Sequence, residues 1–235
     1  MRRLIYNDDS QGVGEARPGH AIEDLQAWVD KPLSRLAIDT YVWCIAFPDI
    51  CMHNTRVGEV YGERFAEPPA AEMKDAKPKN DCAVTIQELH AAGTDVLHVV
   101  AERAHSHNVE VIASVRMNDT HGLYFDRTVA QISQFLLDHA EWVIRRDDGV
   151  PERALDYSFP EVRGHRLAIL RELAENYDID GIELDFTRWA KFFPRDEAPF
   201  KAHVMTQLVG DVRQMLDEVA DTMVRPSFIL GAHVL

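Results

Sequence analysis

Asp178-Ile179-Asp180-Gly181-Ile182-Glu183-Leu184-Asp185-Phe186-Thr187-Arg188-Trp189 is the stretch on which the fold turns. Strand side chains alternate between two faces, so a strand over 182–186 sets Ile182, Leu184 and Phe186 together and Glu183, Asp185 and Thr187 opposite them. The apolar set is expected under helices. The acidic set is expected inside a barrel, with Asp185 near its mouth.

Working outward, β-type runs recur at 4–6, 36–47, 109–117 and 228–234. Helical spacing occupies 20–29, 85–107, 129–144, 160–177 and 202–223. Gly93 is a weak point inside 85–107, Pro160 suits a first helical turn, and Trp28 and Trp142 read as helix-borne core. Strands that alternate with helices imply parallel pairing and right-handed crossovers. An open doubly wound sheet and a (β/α)8 barrel both fit. Gly12-Val13-Gly14 is not a G-x-G-x-x-G fingerprint, so no dinucleotide cofactor is expected.

Polar residues gather where each strand ends: Asp8 and Asp9, Trp43, Arg116, Asn118 and Asp119, Glu183, Asp185 and Arg188, and His233. Barrels keep their chemistry at that end. Four βα units and a fifth strand use all 235 residues, whereas eight units need about 250. The expected fold is therefore α/β, an incomplete (β/α)8 TIM barrel forming one domain over 1–235. Its polar 48–81 loop is expected to wall the site, since loops this long usually serve one.

Composition narrows the function. The chain is 46% hydrophobic and 27% charged, and 25 Lys+Arg stand against 39 Asp+Glu, a net charge of −14. Such a surface repels phosphate backbones and anionic membranes, so neither nucleic acid nor membrane is an expected partner. No apolar run approaches the roughly 18 residues of a spanning helix, and no signal-peptide h-region is visible. Cys44, Cys51 and Cys82 are an odd number without metal spacing. A reducing cytoplasm is the expected location.

Two carboxylates on one strand face, Glu183 and Asp185, suit glycoside chemistry, proton abstraction or a metal. The plainer alternative is structural ion pairing with Arg116 or Arg188. Arg116, Asn118, Asp119 and His121 form a donor-and-acceptor set for a polyhydroxylated ligand, although Asn118-Asp119 also reads as a turn and cap signal. Trp43, Tyr124, Trp189, Phe192 and Phe193 could stack on a sugar or simply pack. His53, His121 and His233 lack any metal-binding spacing, so no metal is expected.

Asp180-Gly181-Ile182-Glu183-Leu184-Asp185-Phe186-Thr187-Arg188 resembles the DGI-x-x-D-(F/Y)-x-R signature of family-10-like glycosyl hydrolases, a bacterial group of (β/α)8 proteins. Arg3 to Asp9, Val115 to Asp119, and Leu155-Asp156-Tyr157-Ser158 with Pro160-Glu161-Val162-Arg163 add weaker matches. The resemblance implies the amino-terminal portion of a sugar-directed barrel acting on an oligo- or polysaccharide, with Asp185 as nucleophile or electrostatic stabiliser. Glu183 is the second candidate catalytic residue. Asp9, Trp43, Arg116, Asn118, Asp119, His121, Arg188 and His233 are the candidate sugar contacts. A metal-dependent aldolase or isomerase and a non-catalytic carbohydrate-binding protein are the alternatives. Exposed first and fifth strand edges would also permit a homo-oligomer.

Overall fold

The computed structural model describes residues 3–63, 81–119 and 132–234. Five parallel strands form its centre: β1 (Ile5–Asp8), β2 (Thr40–Phe47), β5 (Glu110–Arg116), β8 (Gly181–Asp185) and β9 (Ile229–His233). They pair in chain order, with Asp8 opposite Trp43, Trp43 opposite Ala113, Arg116 opposite Asp185 and Asp185 opposite His233. Strand order that follows chain order, with helices between, is the succession of a (β/α)8 barrel. Among the described residues β1 and β9 do not pair, so the five strands form an open arc.

The alternation expected of these strands is present. Tyr41, Trp43, Val111, Ala113, Val115, Ile182 and Leu184 join the buried core beneath the helices. Val42, Cys44, Ser114, Arg116, Glu183 and Asp185 occupy the other face, which is the lumen side of the arc. A bulge between Cys44 and Ala46 shifts the register of β2 on β5 at its carboxyl end. Gly181 is required by close approach: a Cβ there would lie 2.4 Å from the Ile229 carbonyl oxygen, on the neighbouring strand.

A short turn of helix, α1 (Gly12–Glu15), precedes α2 (Ala21–Leu33), which buries Ala21, Leu25 and Val29 at one-turn spacing. The single helical region expected at 85–107 is two helices, α3 (Asp81–Ala91) and α4 (Val96–Ser106). Gly93 takes a left-handed φ of 78°, and the Asp95 carboxylate then caps α4 by accepting the His98 N–H at 2.9 Å. The helix α6 (Pro160–Asn176) packs against β8 and against α7 (Ala198–Met223). No helix among the described residues is long and apolar enough to cross a membrane.

Two stretches differ from the sequence expectation. Among the described residues of 129–144, which begin at 132, only α5 (Gln134–Asp138) is α-helical, capped by Ser133 and followed by a 3-10 turn at Ala140–Trp142. The chain then forms a hairpin of β6 (Val143–Arg145) and β7 (Pro151–Leu155), antiparallel to each other. The Asp148-Gly149 pair, with Gly149 at φ 80°, supplies the turn, and β-branched Val143 and Ile144 favour strand over helix. Trp142 stacks on His139 at 3.7 Å instead of lying in a helix core.

The stretch expected as a wall over the site holds two short strands within its described part, 48–63. There β3 (Ile50–Cys51) pairs antiparallel with the end of β2, and β4 (Glu59–Val60) pairs parallel with β3. The segment after β3 is held against the helices: Thr55 Oγ1 donates to Glu172 of α6 at 2.5 Å, and the Asn54 N–H donates to Asp95 at 3.0 Å.

Candidate active site

Asp185 is the last residue of β8, with its side chain 13% exposed at the carboxyl rim of the arc. Its Oδ1 accepts two hydrogen bonds from Thr187, from the backbone N–H at 2.8 Å and from Oγ1 at 2.7 Å. His233, its register neighbour on β9, brings Nδ1 to 3.9 Å from the same oxygen. The strand thus ends in a carboxylate whose orientation is set from one side.

On the other side lies Arg116, the last residue of β5 and only 4% exposed in its side chain. Nη1 donates to Asp119 Oδ2 at 2.8 Å, Nη2 donates to Asp9 Oδ1, and the guanidinium sits 4.5 Å from the Phe47 ring centroid. Burial disfavours its charge, yet with Asp119 and Asp9 beside it the guanidinium pKa lies above its ordinary value. A buried cation between two carboxylates is the arrangement that burial demands. Cys44, on the same face, has its thiol pushed up to about 12, chiefly by burial, and is a neutral lining group.

Asp9 is half-exposed, and Arg188 approaches it with Nη1 4.0 Å from Oδ2. Its direction is set by Asp8 on the opposite face. Asp8 Oδ2 accepts Tyr41 OH at 2.7 Å and Trp28 Nε1 at 2.9 Å, and Oδ1 accepts the Ser10 N–H at 2.9 Å. Ser10 is left-handed at φ 60°, and this turn reverses the chain after Asp9. Two residues below the rim, Glu183 Oε1 accepts Ser114 Oγ at 2.8 Å and Asn7 Nδ2 at 3.3 Å.

Asp185, Arg116, Asp9, Asp119, Arg188 and His233 are therefore gathered at one end of the strands. Two expected contacts are placed otherwise. Trp43 is fully buried on the helix-facing side, stacked against Tyr41 at 6.1 Å, because its position in the alternation is opposite to that of Cys44. Asn118 is buried and spent on backbone: its amide donates to the Leu155 and Lys191 carbonyls and its oxygen accepts the Leu155 N–H. It ties β5, β7 and the loop after β8 together. His121 and Tyr124 lie outside the described residues. Phe192 packs edge-on against Tyr157 and Phe186.

Residues outside the candidate catalytic and sugar-contact set also build the site. Thr187 and Ser114 share the carboxylate face and are polar, which is a legible signal. The support of Asp8 by Trp28 and Tyr41 is legible only in three dimensions. Beside the rim, a cleft of about 440 Å³ opens between the β6–β7 hairpin and the loop after β8, where Lys191 Nζ bonds Glu152 at 2.8 Å. Among the described residues, no group of three or more His, Cys, Asp or Glu is arranged to hold a metal ion.

A parallel arc with its ionic groups at the carboxyl rim defines a protein of the (β/α)8 class. The sequence profile of the glycosyl hydrolase-like 10 family matches residues 74–200, just over half of the chain, and the chain belongs to that family. The matched span holds Arg116, Asp119, Glu183, Asp185 and Arg188. Among solved structures, it is similar to alpha-L-fucosidase isoenzyme 2 from Paenibacillus thiaminolyticus, with a TM-score of 0.58 and 12% identity over 100% of this chain and 33% of that one. It is also similar to the maltogenic alpha-amylase AmyB from Thermotoga neapolitana, with a TM-score of 0.51 and 19% identity over 98% of this chain and 45% of that one. The chain thus spans less than half the length of either. A search of curated proteins finds no match. At these identities the likeness to the solved structures is one of fold.

Proposed function

We propose that this chain forms the sugar-binding face of a glycoside hydrolase, with Asp185 as the carboxylate that meets the anomeric carbon. The observation that carries the reading is the Asp185 carboxylate itself, fixed through Oδ1 at the carboxyl rim of a barrel strand in a glycosyl hydrolase-like family. An oxocarbenium-like transition state gains positive charge at that carbon, and a fixed, partly buried carboxylate stabilises it. Arg116, neutralised by Asp9 and Asp119, would present donors to hydroxyl groups without attracting an anion. Arg188 and His233 would flank the ring. Glu183, tied to Ser114 and Asn7, would support Asp185 from below.

The test is a thermal-shift titration against oligosaccharides and divalent cations. The expected result is concentration-dependent stabilisation by an oligosaccharide, reaching about 2.7 kcal/mol at a hundredfold excess over Kd, and its loss in Asp185→Asn. Stabilisation by a divalent cation alone would replace this reading with a metal-dependent barrel. Sugar binding that persists in Asp185→Asn would remove Asp185 from the site.

A further inference from the structure

We infer that Thr187 is a positioning residue that dedicates one oxygen of Asp185 to the reaction, an inference that rests on the glycosidase reading above. Both Thr187 donors converge on Oδ1, the N–H at 2.8 Å and Oγ1 at 2.7 Å, and His233 Nδ1 approaches that same oxygen. Among the described residues no group hydrogen-bonds or ion-pairs with Oδ2. The carboxylate is therefore held as a lever with one end fixed, and Oδ2 is the oxygen left to face a developing positive charge. Local structure explains the spacing. β8 stops at Asp185, and a carboxylate that accepts the N–H two residues on is an Asx-turn, which breaks the strand at the rim.

The turn needs only the backbone N–H, which any residue but proline supplies at position 187. The second bond, from Oγ1, needs a hydroxyl. It removes rotation about Cβ–Cγ, so the carboxylate does not have to reorient as charge develops. Thr187 touches no reacting atom in this scheme; it acts through Asp185.

Calorimetric binding of deoxynojirimycin-type iminosugars in gluco, galacto and fuco configurations, each beside its neutral parent sugar, tests the inference. An iminosugar cation places positive charge against Oδ2, and the neutral sugar does not. Wild type is expected to bind one iminosugar, and Asp185→Asn to lose it. Thr187→Val should weaken that iminosugar about tenfold, with the neutral sugar and the melting temperature unchanged, and Thr187→Ser should restore it. Wild-type affinity in Thr187→Val, equal weakening of both ligands, or no restoration by Thr187→Ser would overturn the positioning role and leave the Asp185 reading standing. A wild type that binds no iminosugar, or binding that survives Asp185→Asn, would overturn the glycosidase reading and this inference with it.

Discussion

In the full-length protein, Asp185→Asn is expected to lower oligosaccharide hydrolysis by at least about 10³-fold while the fold is kept. The substitution is nearly isosteric, and the amide oxygen can still accept both Thr187 donors, so the rim geometry is retained. On the glycosidase reading, what is lost is the negative charge facing the anomeric carbon, an interaction realised in the transition state more than in the bound substrate. The loss should therefore fall most heavily on kcat, and KM should rise as well because ground-state sugar binding is weakened. Reducing-sugar release, read beside a melting curve of the same variant, gives both quantities. Turnover at the wild-type rate would remove Asp185 from the chemistry.

The largest effect on stability is expected at a different pair. Arg166 is fully buried in α6; Nη2 donates to Asp49 Oδ1 at 2.8 Å, Nε to Tyr157 OH at 3.3 Å, and Nη1 to the Pro48 carbonyl. Asp49 also accepts Ser133 Oγ at 3.2 Å and lies 3.5 Å from His165 Nε2. Removing the carboxylate leaves a buried guanidinium uncompensated, so Asp49→Ala should cost about 3–5 kcal/mol in urea unfolding near neutral pH. Replacing both residues with apolar side chains of similar volume should recover much of that loss. A cost below about 1 kcal/mol for Asp49→Ala would show that the pair is solvated.

The same pair sets an acid limb. Burial alone would raise the Asp49 pKa, but Arg166 and His165 overcome it and hold the carboxyl at about 2. A folded-state pKa below the unfolded one contributes stability that is present above the unfolded value, about 4, and lost as pH falls through the folded value. On the order of 2 kcal/mol should disappear between about pH 4 and pH 2, and Asp49→Asn should lack this component.

How much of this the sequence disclosed varies from residue to residue. The strict alternation in β8 placed Glu183 and Asp185 on one face, and a parallel sheet then fixed Arg116 and His233 beside Asp185 by register alone. Trp43 misled because closeness to a strand end was weighed above parity; Tyr41 two residues earlier marks it as helix-facing. Asn118 lies beyond the strand, where alternation no longer determines direction, and its backbone partners come from 37 and 73 residues away. The β6–β7 hairpin was hidden by apolar residues at helical spacing, although Asp148-Gly149 is a turn signal. Asp49 and Arg166 are 117 residues apart, and no local pattern pairs two lone charges at that distance.

The most direct test of the central claim is hydrogen exchange with and without the oligosaccharide that gives the largest thermal shift. Binding at the carboxyl rim should slow exchange at residues 7–10, 114–119 and 183–188. Exchange should be unchanged around the cavity of about 340 Å³ on the helical flank, lined by His90, Asp95, His98, Glu172 and Tyr177. Protection confined to that flank, with the strand ends unaffected, would place the sugar elsewhere and contradict the assignment of Asp185.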